Sequence, residues 1–141
     1  MKCKDFMKTS FKCVLPSDDC HTAAKHMRDH NFGFLPVCNE HMEPVGTLTD
    51  RDICTRVCAE DKLASKTKVS DVMTQHVVSC SPEDDMSIAE DLMARHKKSR
   101  IMVVENGKVV GVISLSDVAE RETQEKAGKT LKDIVSREIR P

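Results

Sequence analysis

The sequence predicts an α+β chain built from two similar β-α-β-β-α repeats packed sheet to sheet with pseudo-twofold symmetry. Three observations predict it: an internal repeat, helix-start signals at equivalent points of each copy, and strand pairs closed by turn residues. Displaced by about 66 residues, the chain falls on itself. Asp5-Phe6-Met7 meets Asp71-Val72-Met73, Pro16 meets Pro82, Ala23 meets Ala89, Met27 meets Met93, His30 meets His96 and Val37 meets Val103. Past Met42 the displacement drops by one residue, and Gly46, Thr49 and Asp52 fall on Gly111, Ser114 and Asp117. The jump lies in a predicted turn, where an insertion costs the fold least.

Taken in order, the first copy has a strand over Phe11 to Val14 and a helix from Ser17 to about His30, with Cys20, Ala23, Ala24 and Met27 inside it. Strands follow near Phe34 to Cys38 and Val45 to Leu48, and a helix runs from Thr49. The second copy has a strand over Val77 to Cys80. Ser81-Pro82-Glu83-Asp84 then supplies an N-cap, a first-turn proline and acids suited to a helix start. Met86, Ala89, Leu92 and Met93 make one apolar helix face. Ile101 to Glu105 and Lys108 to Ser114 are strands joined by Asn106-Gly107, a hairpin signal, and a helix begins near Ser114. The repeats span 1–60 and 70–122, with a polar linker at 61–69 and a C-terminal helical tail at 123–141, and Glu120 to Lys132 reads as a charged, solvated helix. At roughly 60 residues, one such unit buries too little surface to be comfortable alone, so the two are expected to share a core.

Composition narrows the function. Lys+Arg 22 against Asp+Glu 23 leaves a net charge of -1, and with four Phe and no Trp or Tyr the chain lacks the basic field and stacking platforms of nucleic-acid binders. No apolar run reaches the roughly 20 residues that span a bilayer, and the start lacks a signal-peptide pattern, so a cytoplasmic protein with no membrane partner is expected. Seven cysteines, an odd number, are expected to be reduced and mostly buried.

The pair Gly46-Thr47-Leu48-Thr49-Asp50-Arg51-Asp52 and Gly111-Val112-Ile113-Ser114-Leu115-Ser116-Asp117 runs each time off a strand into a helix. A hydroxyl followed three residues later by Asp is a capping box. The same carboxylate can accept hydrogen bonds from two ribose hydroxyls while the helix start offers N–H groups to phosphate. Both readings stand at this point.

The order of signals over Val72 to Asp117, Val-Met-Thr, strand, Ser-Pro, amphipathic helix, Val-Val and Gly-Val-Ile-Ser-x-x-Asp, resembles the paired CBS domain, or Bateman module. Phe6 to Asp52 resembles it more loosely. The resemblance implies a cleft on each side of the pair, assembly of two chains, and binding of AMP, ADP, ATP or a related adenosine compound, with no other cofactor. It places Thr49 and Asp52 on the ribose in one cleft and Ser114 and Asp117 in the other. It places Cys13 and Val14, and Ser79 and Cys80, against adenine. Phe34, Leu35 and Pro36, and Arg100, Ile101 and Met102, line the clefts. Met102 replaces the proline that Pro36 supplies, only the second copy has an arginine suited to phosphate, and Phe34 offers a ring for a base instead.

Cys54 and Cys58, and His26 and His30, each lie four apart, a spacing that can present metal ligands. Cys54 and Cys58 read more simply as part of an apolar face with Ile53 and Val57, and no metal site is expected. No phosphate loop, nucleophile elbow or kinase motif is present, so the protein is expected to be a sensor rather than an enzyme, acting on an unidentified protein in trans. The alternative is a structural or thiol-responsive interaction module that binds no nucleotide. Light scattering at tens of micromolar protein is expected to report a homodimer; a monomer alone would remove the assembly that the resemblance implies.

Overall fold

The computed structural model describes residues 1–136. Its elements are α1 (Cys3–Phe6), α2 (Cys20–His30), β1 (Phe34–Cys38), β2 (Pro44–Thr49) and α3 (Asp50–Ile53), which widens into a π-turn at Cys54–Cys58. A 3-10 turn at Ala64–Lys66, α4 (Val69–Val72), β3 (Ser79–Cys80), α5 (Met86–His96), β4 (Arg100–Glu105), β5 (Lys108–Ser114), α6 (Leu115–Arg121) and α7 (Gln124–Val135) follow. The α+β repeat order is as expected. Two sheets form: β1 pairs antiparallel with β2, matching Phe34 with Thr49, and a second sheet has the order β3-β4-β5 with β3 parallel to β4.

Local chemistry explains these bounds. Asp19 and Asp85, equivalent in the repeat, cap α2 and α5 by accepting the Thr22 N–H at 2.7 Å and the Ser87 N–H at 3.0 Å. Asn31 and Lys97 end the same helices in left-handed conformation, at φ 51 and 55. Asn106 and Gly107, at φ 54 and 77, make the tight turn between β4 and β5 that their dipeptide predicts.

The expected helix starts at Ser17 and Ser81 are corrected, because α2 and α5 begin later. Residues 15–18 and 81–84 are instead tight turns, closed by Asp18 accepting the Leu15 N–H and Asp84 accepting the Ser81 N–H, both at 2.9 Å. The carbonyls of these turns have other duties. Cys3 N–H donates to Asp84 O at 2.8 Å and Lys4 N–H to Pro82 O at 2.9 Å, while Met1 O accepts the Met86 N–H at 2.8 Å. The equivalent triplet joins Val69 N–H to Asp18 O, Ser70 N–H to Pro16 O and Cys20 N–H to Thr67 O, at 2.8, 3.0 and 2.8 Å. The segment that leads into each repeat therefore binds the turn of the other repeat.

The compact units follow this exchange and are therefore not the same partition as the sequence repeats. One unit comprises Phe11–Val77 with Gly107–Val109; the other comprises Met1–Ser10, Val78–Asn106 and the described chain from Val110 to Ser136. In the first, Val14, Cys20, Ala23, Met27, Leu35, Val37, Leu48, Val57, Val69 and Val72 form the core. In the second, Cys3, Phe6, Met86, Ala89, Met93, Ile101, Val103, Ile113, Val118 and Ile134 do so.

Glycine permits the exchange. A Cβ on Gly46 would stand 2.8 Å from Thr74 O and 2.9 Å from Met73 Sδ; on Gly111 it would stand 2.7 Å from Met7 Sδ and 3.1 Å from Lys8 O. The bare backbone lets Thr74 bridge Thr47 of β2 and Lys8 bridge Val112 of β5.

Two further expectations need correction. The strand expected over Phe11 to Val14 shrinks to one bridge, in which Val14 N–H donates to Pro36 O at 3.0 Å and Cys38 N–H to Val14 O at 2.9 Å. The charged stretch 120–132 is neither one helix nor wholly solvated. Thr123 caps a new helix, α7, which packs on α5 and α6 and buries Thr130 and Ile134. The part of the expected tail beyond residue 136 lies outside the described residues.

That packing traps Glu90 of α5, which is 9% exposed. Thr130 Oγ1 donates to its Oε2 at 3.4 Å, and its Oε1 meets no donor. Protonated, Glu90 can share its hydrogen with the Glu122 carboxyl. Burial first, then that shared hydrogen bond and the Glu122 charge, push Glu90 up to about 7 against the opposing effects of Thr130 and Lys126. The native state then holds a proton that the unfolded chain releases near the ordinary glutamate value of 4.5, so stability falls as pH rises through 4.5 to about 7 and levels off above. Glu90→Gln is expected to flatten that decline and to stabilise the protein at pH 8 by about 1–3 kcal/mol in urea unfolding; a decline unchanged in the variant would assign it to other groups.

Candidate functional site

Each repeat ends its last strand with a hydroxyl and starts the next helix with a carboxylate. Thr49 caps α3: its Oγ1 accepts the Asp52 N–H at 3.1 Å, and Asp52 Oδ2 accepts the Thr49 N–H at 3.0 Å. Ser114 caps α6 in the same way, with its N–H donating to Asp117 Oδ2 at 2.8 Å and its Oγ accepting the Asp117 N–H at 3.3 Å. Ser114 Oγ also donates to Asp117 Oδ2 at 2.9 Å and stands 2.6 Å from Ser116 Oγ.

The capping box is thus present in both copies, and it occupies one oxygen of each carboxylate. The other oxygen faces a cation: Lys8 Nζ lies 3.5 Å from Asp117 Oδ1, and the Arg56 guanidinium lies 3.8 Å from Asp52 Oδ1. The Asp117 side chain is 4% exposed against 13% for Asp52, so the second carboxylate is the more enclosed. Neighbouring loops lie against both junctions. Asp50 N–H donates to Gly33 O at 3.1 Å and Leu115 N–H to Ser99 O at 2.7 Å, which sets Phe34 and Arg100 one residue further along.

Side chains alternate across a strand, and this divides the expected site residues. Val14, Leu35, Cys80 and Ile101 line the cores, so only their backbones are available to a ligand. Pro36 and Met102 are buried as well. The Phe34 ring, expected to be open for stacking on a base, is 5% exposed. Cys13, Thr49, Asp52, Arg100 and Ser114 are half-buried, Ser79 is exposed and Asp117 is buried.

Lys8, Arg56 and Arg121 were not anticipated. The arginines had a sequence signal, since each follows the motif aspartate by four residues, one helical turn. Arg56 donates to Val72 O at 2.8 Å and Arg121 donates to Asp5 O, so each holds a lead-in segment in place. Lys8 reaches Asp117 through the exchanged segment and had no local signal.

The placement of Cys54 and Cys58 on an apolar face is also corrected. Ile53 and Val57 take the inward face and Val57 is buried, while the two cysteines, one position on and about 100° further round the helix, are exposed. His30 Nδ1 lies 3.0 Å from His26 O, and the two rings meet edge to face at 6.1 Å. Among the described residues no group of three or more His, Cys, Asp or Glu side chains is placed to hold a metal ion.

The sequence profile of the CBS domain matches residues 3–58 and 69–123. The chain is 36% identical over 137 residues to the CBS domain-containing protein YhcV of Bacillus subtilis, covering 96% of each chain. Its fold superposes at TM-score 0.82 on the conserved CBS domain protein TA0289 of Thermoplasma acidophilum, with 22% identity, covering 94% of this chain and 75% of that one. It superposes at 0.77 on the CBS domain pair of protein MJ0100, solved with 5-methylthioadenosine and S-adenosyl-L-methionine, with 24% identity over 85% of this chain and 94% of that one.

A thiol reagent applied to the folded protein is expected to modify Cys54 and Cys58 in a fast phase, while Cys3, Cys20, Cys38 and Cys80 react only after denaturant is added. Absence of a fast phase would overturn the exposure of the π-turn.

Proposed function

We propose, from the premise that this chain belongs to the CBS domain family, that it is a non-catalytic sensor binding an adenosine-type ligand at Asp117 and Asp52. The observation that carries this reading is the division of labour within each carboxylate. Oδ2 is consumed by the cap, which fixes the group in place, and Oδ1 remains outside the cap for a ribose diol. Lys8 and Arg100 belong to the same unit as Asp117 and supply positive charge suited to phosphate, whereas the first copy has Phe34 at the position of Arg100. That a related pair holds 5-methylthioadenosine and S-adenosyl-L-methionine supports an adenosyl compound as the ligand class. The cap serves the fold and the oxygen outside it, beside its cation, serves the ligand, so neither reading displaces the other. Ligand occupancy is read out in trans by an interacting protein. Among the described residues no helix is long and apolar enough to cross a membrane.

Calorimetry with AMP and ATP tests this. Asp117→Ala and Asp52→Ala are each expected to weaken binding at their own site at least tenfold, since charge-assisted hydrogen bonds contribute about 1.5–3 kcal/mol each. The loss of the cap also lowers stability by about 1 kcal/mol. Asp117→Asn, which keeps an oxygen for the cap, separates the two effects: affinity falls while melting temperature changes little. ATP is expected to gain more over AMP at Asp117 than at Asp52. Unchanged affinity in both alanine variants, with only a lowered melting temperature, would reduce the motif to its capping role.

A further inference from the structure

Each unit contains a pair of thiols from distant parts of the chain. In the second-repeat unit Cys3 and Cys80 are both buried, at 0% and 6% exposed. In the first-repeat unit Cys38 donates to Cys13 with the sulfurs 3.3 Å apart, across a sequence separation of 25 residues. The second pair differs in access. Cys38 is buried, but Cys13 is half-buried. Cys13 precedes the single-residue bridge of Val14 to Val37, so the backbone that carries it is tied to β1 on one side only. An open groove of about 420 Å³, lined by Leu15, Pro16, Ser17, Asn39, Glu40 and His41, starts two residues past Cys13 and one past Cys38.

We propose that Cys13 and Cys38 form an oxidation site, a dithiol that hydrogen peroxide converts to an intrachain disulfide. Cys13 is the attacking sulfur. The hydrogen bond from Cys38 favours its thiolate, and the neighbouring Lys12 adds to this, while burial opposes it. Cys38 keeps its proton, held by the same hydrogen bond and by burial. The Cys13 thiolate attacks one peroxide oxygen, the O–O bond breaks, and a sulfenic acid forms with hydroxide as leaving group. The Cys38 sulfur then attacks Cys13, the S–O bond breaks, and water leaves with the proton that Cys38 gives up. Two thiols lose two electrons and two protons in all, and the peroxide becomes two waters. Closing from 3.3 Å to a bond of about 2.05 Å requires a sulfur displacement that a side-chain rotation and the weakly tied Cys13 backbone can supply. The product staples residues 13 and 14 to the end of β1, and its formation needs no nucleotide.

The test uses the full chain carrying Cys54→Ser and Cys58→Ser, so that the exposed thiols do not compete. It is treated with a small excess of hydrogen peroxide, quenched with a maleimide in denaturant, digested and sequenced by tandem mass spectrometry. The expected product is a peptide pair joined through Cys13 and Cys38, lighter by two hydrogens and released by dithiothreitol, with Cys3, Cys20 and Cys80 carrying maleimide. In a further Cys38→Ser variant, Cys13 is expected to stop at a sulfenic acid that dimedone traps. The proposal is overturned if Cys13 and Cys38 are both recovered as maleimide adducts at peroxide levels that oxidise Cys54 and Cys58 in the parent chain. It is equally overturned if Cys13 passes to sulfinic acid, or joins Cys20 or a second chain, while Cys38 stays free.

Discussion

The structure depends on a reciprocal exchange of backbone hydrogen bonds. Residues 1–4 donate to and accept from the turn before α5, and residues 67–70 do the same at the turn before α2, through three equivalent bonds each time. Buried peptide groups must be paired, so once the turns at Pro16 and Pro82 offer their carbonyls outward, the exchanged segments become part of each unit's core. Phe6 and Val72 follow them inward, Gly46 and Gly111 clear the space, and Arg56 and Arg121 fasten the ends. Lys8 arrives beside Asp117 by the same route. The electrostatics of the candidate site are therefore a product of the exchange rather than of the motif alone.

Much of this was legible in the sequence, and what was missed has a physical pattern. The repeat, the two hairpins, the caps at Thr49 and Ser114 and the apolar face of α5 are local properties, set by neighbours three or four residues away. The misread helix starts at Ser17 and Ser81 looked right locally, with a hydroxyl, an acid and a proline in place. They were displaced because a distant segment claims the turn carbonyls. The tail helix was misread for a related reason, since few of its residues, Ala127, Thr130 and Ile134, pack inward. A charged sequence tolerates that much burial without announcing it. Cys54 and Cys58 sat one position from the inward face, and composition cannot resolve a rotation of that size.

For the candidate site, the carboxylates and hydroxyls were readable because capping and ribose recognition need the same residue types. The cations were not all readable. Arg56 and Arg121 carry a helical spacing that repeats in both copies, whereas Lys8 is adjacent to Asp117 only in the folded chain. The strand residues were found as a group, but their alternation separates those facing the core, such as Leu35 and Ile101, from those on the opposite face. A ligand on that opposite face meets the former through peptide groups alone, which makes their side chains answerable to packing and frees them from specificity.

The exchange also separates what is copied from what folds. A repeat read along the chain runs from its own lead-in to its last helix, whereas each compact unit carries the lead-in of the other copy, residues 1–10 in one and residues 67–77 in the other. A lone copy would leave its lead-in unpaired and its turn carbonyls bare, so each repeat depends on the presence of the other. Because the two copies lie on one chain, that pairing is intramolecular. Phe34 and Arg100, at equivalent positions of the two copies, differ without touching that tie, because it is made by backbone atoms and depends on side chains only where Gly46 and Gly111 must stay bare and where Arg56 and Arg121 fasten its ends.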